Sequence, residues 1–384
     1  MVEEFKVAKC RLVMNLKDSK DIKVQKAGVV TRTGRKWSAG ATVSKAENTL
    51  ELQDIVGNIC VGKRGLGVDH FQQWSKAEGK EKRDRIVSVV RSEEEQQRKS
   101  RAVELGQQGS WTRWNLPERK ITWTDLWKME PLRISFMLRS VYDTLPISSK
   151  LCRWGLLEDP ACSLCGGRGT LAHVLSGCRV ALRQGRYRWR HDQVLAALAD
   201  ILEKERRQKR SLIEHRKPHI QFVRAGEKGP PTTTAYHVNV LTQAPSWEMR
   251  VDLNKRLVLP DLVQTTLRPD IVIWSQQRQK VILVELTVPW EEGCDEAHEK
   301  KAGKYQELAE LCRHKGWNTW LFPVEVGARG FPAQSVWRMF QKLGLTGAKR
   351  KAAIKTLAER AERSSCWLWC RRDEPNWNPD NSKQ

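Results

Sequence analysis

Asp270 and Glu285, with fourteen residues between them, stand in a stretch otherwise made for burial. Asp270 opens the β-branched run 271–274, and Glu285 interrupts the apolar run 281–288. The polar segment 275–280 between them predicts strand, turn, strand. The second run is apolar at nearly every position, which suits a strand covered on both faces. Side chains alternate along a strand, so Glu285 and Thr287 share a face with Val281 and Leu283. If the strands pair, Asp270 lies across from Glu285. An ionised carboxylate there is costly unless a cation or a donor meets it. Two carboxylates converging at a sheet end make a site for Mg2+, a hard ion that takes oxygen ligands and keeps waters for substrate phosphates. Beyond Pro289 a helix is predicted over 292–312, with Lys301, Lys304, Tyr305 and Leu308 at offsets of three, four and seven on one face. A lysine from that face can hold an attacking water or offset charge on a scissile phosphate. The plain alternative is an ordinary α/β core with a capped Asp270 and an ion-paired Glu285.

A second constellation lies upstream. Cys162 and Cys165 form a CxxC, followed after seven residues by His173 and after four more by Cys178. The CxxC puts two thiolates on a tight knuckle, and Gly166, Gly167 and Gly169 let the backbone turn beneath a metal. His173 and Cys178, on or beside a short helix over 171–176, can close a tetrahedron. Three thiolates and an imidazole leave no open position, so the expected Zn2+ is structural. The alternative is coincidental buried cysteines with a hydrogen-bonded core histidine; Cys152, ten residues before Cys162, is a substitute ligand. Ten cysteines in all, scattered outside this cluster, favour a reducing compartment and a metal over disulfides.

Immediately after the cluster, Arg183, Arg186, Tyr187, Arg188, Trp189 and Arg190 interleave bases with aromatics. Such a strip can neutralise phosphates while a ring stacks on an unpaired base. Equally, it can be a helix start whose aromatics pack inward. The helix that follows, 191–213, carries an apolar stripe at Val194, Leu195, Leu198, Ile201 and Leu202. It then turns basic at Arg206, Arg207, Lys209 and Arg210, a second phosphate-facing candidate.

These residues carry a resemblance. Pro269-Asp270, fourteen residues, then Glu285-Leu286-Thr287 resembles the PD-(D/E)xK nuclease core, and most of all the restriction-like endonuclease at the C-terminus of certain non-LTR retrotransposon proteins. The usual pattern has a lysine where Thr287 stands; the resemblance implies that the amine comes from the following helix, as Lys304 or Lys301. The Cys162, Cys165, His173, Cys178 spacing is similar to the CCHC motif before that nuclease, and the apolar segment from Trp123 to Tyr142 to the helical segment before the motif. The likeness covers roughly residues 110–372. It implies a Mg2+-dependent DNA endonuclease with Asp270 and Glu285 on the metal, whose nick primes reverse transcription in the nucleus. It adds Arg250 and Arg268 as secondary DNA contacts, and element RNA as a second partner. No adjacent aspartate pair of the kind a polymerase palm requires occurs in the chain, so the reverse transcriptase would be supplied elsewhere. The competing reading is an inactive zinc-containing nucleic-acid-binding fragment.

Composition agrees with a polyanionic partner: 384 residues carry a net charge of +23, a pI near 9.8 and 17 Trp. No apolar run reaches the roughly 18 residues of a membrane span, and the first residues lack the pattern of a signal or transit segment. The expected class is α/β (α+β), with a helical N-terminal half bearing the zinc knuckle, then a restriction-endonuclease-like mixed sheet flanked by helices. The expected divisions are 1–109, charged and helical or irregular; 110–224, helical with the knuckle; 225–246, a linker; 247–372, the nuclease-like domain; and 373–384, a disordered tail.

Overall fold

The computed structural model describes a few residues before position 24, residues 79–106, most of 109–120, residues 121–214, most of 239–262 and residues 263–378. The chain splits into two compact units, 1–112 and 113–384. In the first, one helix, α1 (Gly79–Glu104), is followed by a 3-10 turn at Gly109–Thr112. Its charged residues are mostly exposed, as a solvated face requires, while Val87 is buried and Val103 exposed. Of the division 1–109, expected to be charged and helical or irregular, nearly all of 1–78 lies outside the described residues.

The second unit begins with short helices: α2 (Trp123–Trp127), α3 (Pro131–Val141) and α4 (Ser148–Arg153). After the cysteine-rich loop come a π-type turn at His173–Gly177, α5 (Arg179–Arg183) and the long α6 (Arg186–Glu214). Strands β1 (Glu248–Val251), β2 (Ile271–Ser275) and β3 (Lys280–Thr287) lead into α7 (Cys294–His314) and β4 (Asn318–Glu325). Helices α8 (Gln334–Lys342) and α9 (Gly347–Cys370) complete it. The sheet is mixed, in the order β1-β2-β3-β4. β1, β2 and β3 are antiparallel neighbours, and β4 joins β3 in parallel through α7. Pro323, which lacks an N–H, stands on edge strand β4, where a missing ladder donor is tolerated.

Alternation sorts the sheet's side chains. Ile271, Ile273, Ile282, Val284 and Leu286 face a core built with α6, α8 and α9. Val272, Trp274, Val281 and Leu283 face the core of Tyr305, Leu308, Ala309 and Cys312 from α7. β3 is therefore buried on both sides, and the face that carries Glu285 is the face α7 covers.

Three expectations need correcting. The helices of the cysteine-rich region and the sheet share a core through Val194, Leu195, Leu198 and Leu202 of α6, so 110–224 and 247–372 are not separately packed. Of the linker, residues 225–238 lie outside the described residues, while Val240 and Leu241 in a 3-10 turn are buried in that core. The tail is docked as far as it is described: Trp377 packs edge-on against Trp189 and Trp367, and Ser163 Oγ donates to Asp373. Residues 379–384 lie outside the described ones.

Candidate active site and metal centre

The β2–β3 register sets Ile271 opposite Val284, which brings Asp270 to Glu285. The backbone N–H of Asp270 donates to Glu285 Oε2 at 3.2 Å, and the N–H of Leu286 donates to Asp270 Oδ2 at 2.7 Å. Both acids are buried, at 5% and 3% exposure. From α7, Lys301 Nζ donates to Glu285 Oε1 at 2.5 Å. Burial pushes the Glu285 carboxyl up, the charge of Asp270 adds to the shift, and Lys301 opposes it. A cation between the two acids would relieve that repulsion. Buried carboxylate oxygens from two neighbouring strands are the donor set a hard divalent ion takes.

Two lysines were candidates for the amine, and the helix separates them. Lys301 reaches Glu285; Lys304 is exposed, with Nζ 4.7 Å from the Tyr305 ring centroid and 3.3 Å from its hydroxyl. Tyr305 in turn is buried and donates to the carbonyl of Arg268 at 2.7 Å. Burial, and then Glu285 beside it, hold the phenol far above its ordinary range. Arg268, two residues before Asp270, and Arg250 on β1 are both exposed, with the Arg250 guanidinium 5.5 Å from the Trp274 ring centroid.

One participant was missed. His191 of α6 lies with Nε2 3.3 Å from Asp270 Oδ2 and Nδ1 2.9 Å from Asp192 Oδ1. Burial works against its charge, yet the hydrogen bonds of Asp192 and Asp270 outweigh it and push the imidazole up to about 9. The signal was present: His191 precedes Val194, Leu195 and Leu198 by three, four and seven residues, on the inward face of the helix.

The other cluster assembles without a gap. The ligand atoms of Cys162, Cys165, His173 and Cys178 all lie within 4.8 Å of one another, and Cys165 Sγ is 3.1 Å from His173 Nε2. The knuckle closes by hydrogen bonds from Gly166 N to the Cys162 carbonyl (2.9 Å) and from Cys162 N to the Gly167 carbonyl (2.6 Å). Gly166 takes φ +71°, a conformation that costs glycine little. Tyr187 braces the turn below: its hydroxyl accepts from Cys178 N at 3.0 Å and lies 3.1 Å from the His173 carbonyl. This Cys3His group can hold a metal such as zinc, with all four positions filled from the protein. Cys152 is not part of it; its thiol points to the Glu158 carbonyl at 3.5 Å.

Within the arginine-rich strip Arg183 is exposed, but Arg186, Trp189 and Arg190 turn inward, against the phosphate-binding expectation for them. Arg190 is 2% exposed and donates to the carbonyls of Leu175 (2.8 Å) and Val288 (2.9 Å) and to Ser365 Oγ (3.1 Å). Arg186, equally buried, donates to Gln184 Oε1, to the Arg371 carbonyl and to the Glu374 carbonyl. Trp189 stacks on Trp367 with centroids 4.8 Å apart. Arg188 is partly exposed, but pairs with Asp192 at 2.9 Å and donates to the Asp252 carbonyl at 3.0 Å. The physical reason is that loop carbonyls next to α6 have no ladder partner and need donors. Further along, Arg206 and Arg207 both pair with Glu203, while the side chains of Lys209 and Arg210 lie outside the described ones.

Replacing Arg190 by Met should therefore cost about 3 kcal/mol or more, because two buried acceptors and one half-buried one lose their donor at about 1–3 kcal/mol each. Urea unfolding measures it. A phosphate-binding arginine would leave stability unchanged and weaken DNA binding instead.

Compared with protein-family models the chain matches none, and no curated protein matches it. No described helix is long and apolar enough to cross a membrane.

Proposed function

We propose that this chain is a Mg2+-dependent DNA endonuclease of the restriction-like, PD-(D/E)xK kind, resembling the nuclease region of non-LTR retrotransposon proteins. One observation carries the reading: Asp270 and Glu285 meet across neighbouring strands, and the amine of Lys301 from α7 is already on Glu285. Asp270 and Glu285 would hold the ion, which when bound would polarise the phosphate and lower the pKa of a water. Lys301 would hold that water, or take up charge developing on the phosphate oxygens. Residues from the exposed end near Arg268 and Arg250 would meet the DNA backbone. Zn2+ at Cys162, Cys165, His173 and Cys178 would be structural. A reverse transcriptase supplied elsewhere would use the nick, with element RNA as a further partner and the nucleus as the compartment.

A second reading, nucleic-acid binding without turnover, draws on a specific feature. Glu285 is satisfied by Lys301, and Asp270 by His191 and Leu286, within the protein itself. Supercoiled plasmid separates the two: the nuclease nicks it with Mg2+ and stops with a chelator, whereas the binding fragment shifts its mobility and never nicks it.

The two lysines give a sharper outcome. Lys301→Met should lower nicking by about 100-fold or more, the loss seen when one charge-stabilising donor is removed. Lys304→Met, at an exposed position one turn on, should lower it by less than about tenfold, below the roughly 10- to 100-fold that loss of an orienting partner costs. Initial rates on the same plasmid measure both, and the reverse order would exchange the roles.

A further inference from the structure

We propose that His191, fastened by Asp192 and Arg188, is the positioning residue that aims the Asp270 carboxylate at its cation. The inference rests on the nuclease reading of that site and adds a residue to it.

Asp270 Oδ2 receives the Leu286 N–H at 2.7 Å and, at 3.3 Å, the His191 Nε2 hydrogen, which it shares with the Leu286 carbonyl 3.2 Å from the same nitrogen. Both accepting directions of that oxygen are thereby used inside the protein, and Oδ1 is the atom left for a metal. The imidazole cannot swing freely, because its other nitrogen is 2.9 Å from Asp192 Oδ1. Arg188 Nε meets the same oxygen of Asp192, also at 2.9 Å. The chain of contacts then closes on itself. Arg188 Nη2 donates to the Asp252 carbonyl at 3.0 Å, and Asp252 N donates to the Asp270 carbonyl at 2.8 Å. Helix α6 is thus joined both to the residue after β1 and to the acid before β2, in one ring that contains Asp270. Of its side chains, His191 and Asp192 are about 15% exposed, so water competes little for these bonds. A group that orients a ligating carboxylate this way changes metal affinity without touching the metal.

Mn2+, titrated by the paramagnetic signal of the free ion, is the probe. His191→Leu should weaken Asp270-dependent Mn2+ binding by about 10- to 100-fold, the usual cost of losing an orienting partner. His191→Gln, whose amide nitrogen can stand near the place of the ring Nε2, should regain most of the affinity. Matching thermal melts establish that both proteins are folded. If the Leu protein does not fold, Asp192→Ala, which contacts neither acid, should weaken binding in the same direction, and wild-type affinity there overturns the proposal. Wild-type affinity in His191→Leu overturns it as well, and so does a Gln protein as weak as Leu, since the ring would then act by packing alone. If Asp270→Asn binds Mn2+ as the wild type does, there is no cation site at Asp270, and the nuclease reading falls with the proposal.

Discussion

Replacing Asp270 by Asn should abolish nicking while leaving the protein folded and able to bind DNA. Asn keeps the volume and an oxygen for the Leu286 N–H and His191, but it removes the charge that the proposed cation site would require. Groups merely orienting a ligand cost about 10- to 100-fold when lost, so removal of the ligand's charge should exceed about 100-fold. Glu285→Gln should show a comparable loss with a different side effect. It strands the Lys301 ammonium, three-quarters buried, beside a neutral amide. Either substitution relieves the repulsion between the two acids, so the broken ion pair decides, and the Gln protein should be the less stable of the two. Nicking rates with chemical-denaturation controls test the pair. Full activity in either variant would remove that acid from the chemistry.

Loss of the metal from the Cys3His group should have the largest effect on stability. Structural zinc is bound with about 10–16 kcal/mol in small zinc domains, and that energy is folding energy. Cys162 and Cys178 are buried, and the small core they form with Ala181 adjoins Tyr187. Tyr187 also leans on a second core, of Phe136, Leu145, Leu171 and Leu175 with several tryptophans. A strong chelator, or Cys178→Ser, should therefore lower the melting temperature of the whole second unit, with Trp fluorescence reporting the loosened tryptophans. Cobalt in place of zinc should give the absorption of a tetrahedral thiolate site. Unchanged melting after chelation would mean four unmetallated side chains packed together. Nicking, measured after the chelator is removed and Mg2+ is restored, at a temperature where the zinc-free protein stays folded, should survive, because this metal has no part in the chemistry at the acids.

The candidate site was largely legible, for a definite reason. A run as apolar as 281–288 has only one charged member, and a buried charge announces itself by its cost. The helical offset that joins Lys301 to Tyr305 likewise survived, since it is set by the 3.6-residue period alone; the observed helix is displaced by two residues from the expected 292–312. Which lysine reaches Glu285 was not legible, because one residue of helix rotation decides it. His191 was overlooked because the bases around it drew the eye to phosphates. Its inward position was encoded in the stripe that follows.

The arginine strip shows the limit of composition. Alternating Arg and Trp look alike whether they meet nucleic acid or unpaired carbonyls, and only the loops that return to α6 decide. The same holds for Arg329, which meets Glu291 at 2.7 Å in the interior, and for Arg133, which meets Glu362 at 2.7 Å. A net charge of +23 thus overstates the basic surface. Composition misleads in the opposite direction at Trp123 and Trp127, large apolar side chains that enter no core. They stand 75% and 84% exposed, since α2 is a single short turn with no buried residue. Phe136 and Met137, on the longer α3, do enter the core.

The most direct test of the two-acid site is a crystal of the protein soaked in Mn2+ and measured for anomalous scattering at the manganese edge. One peak should appear between Asp270 and Glu285, at about 2.0–2.2 Å from an oxygen of each, as a small hard cation requires. The Asp270 oxygen it touches should be Oδ1, and Lys301 should lie close to its water. A peak elsewhere, or none while Lys301 keeps Glu285, would contradict the proposed chemistry.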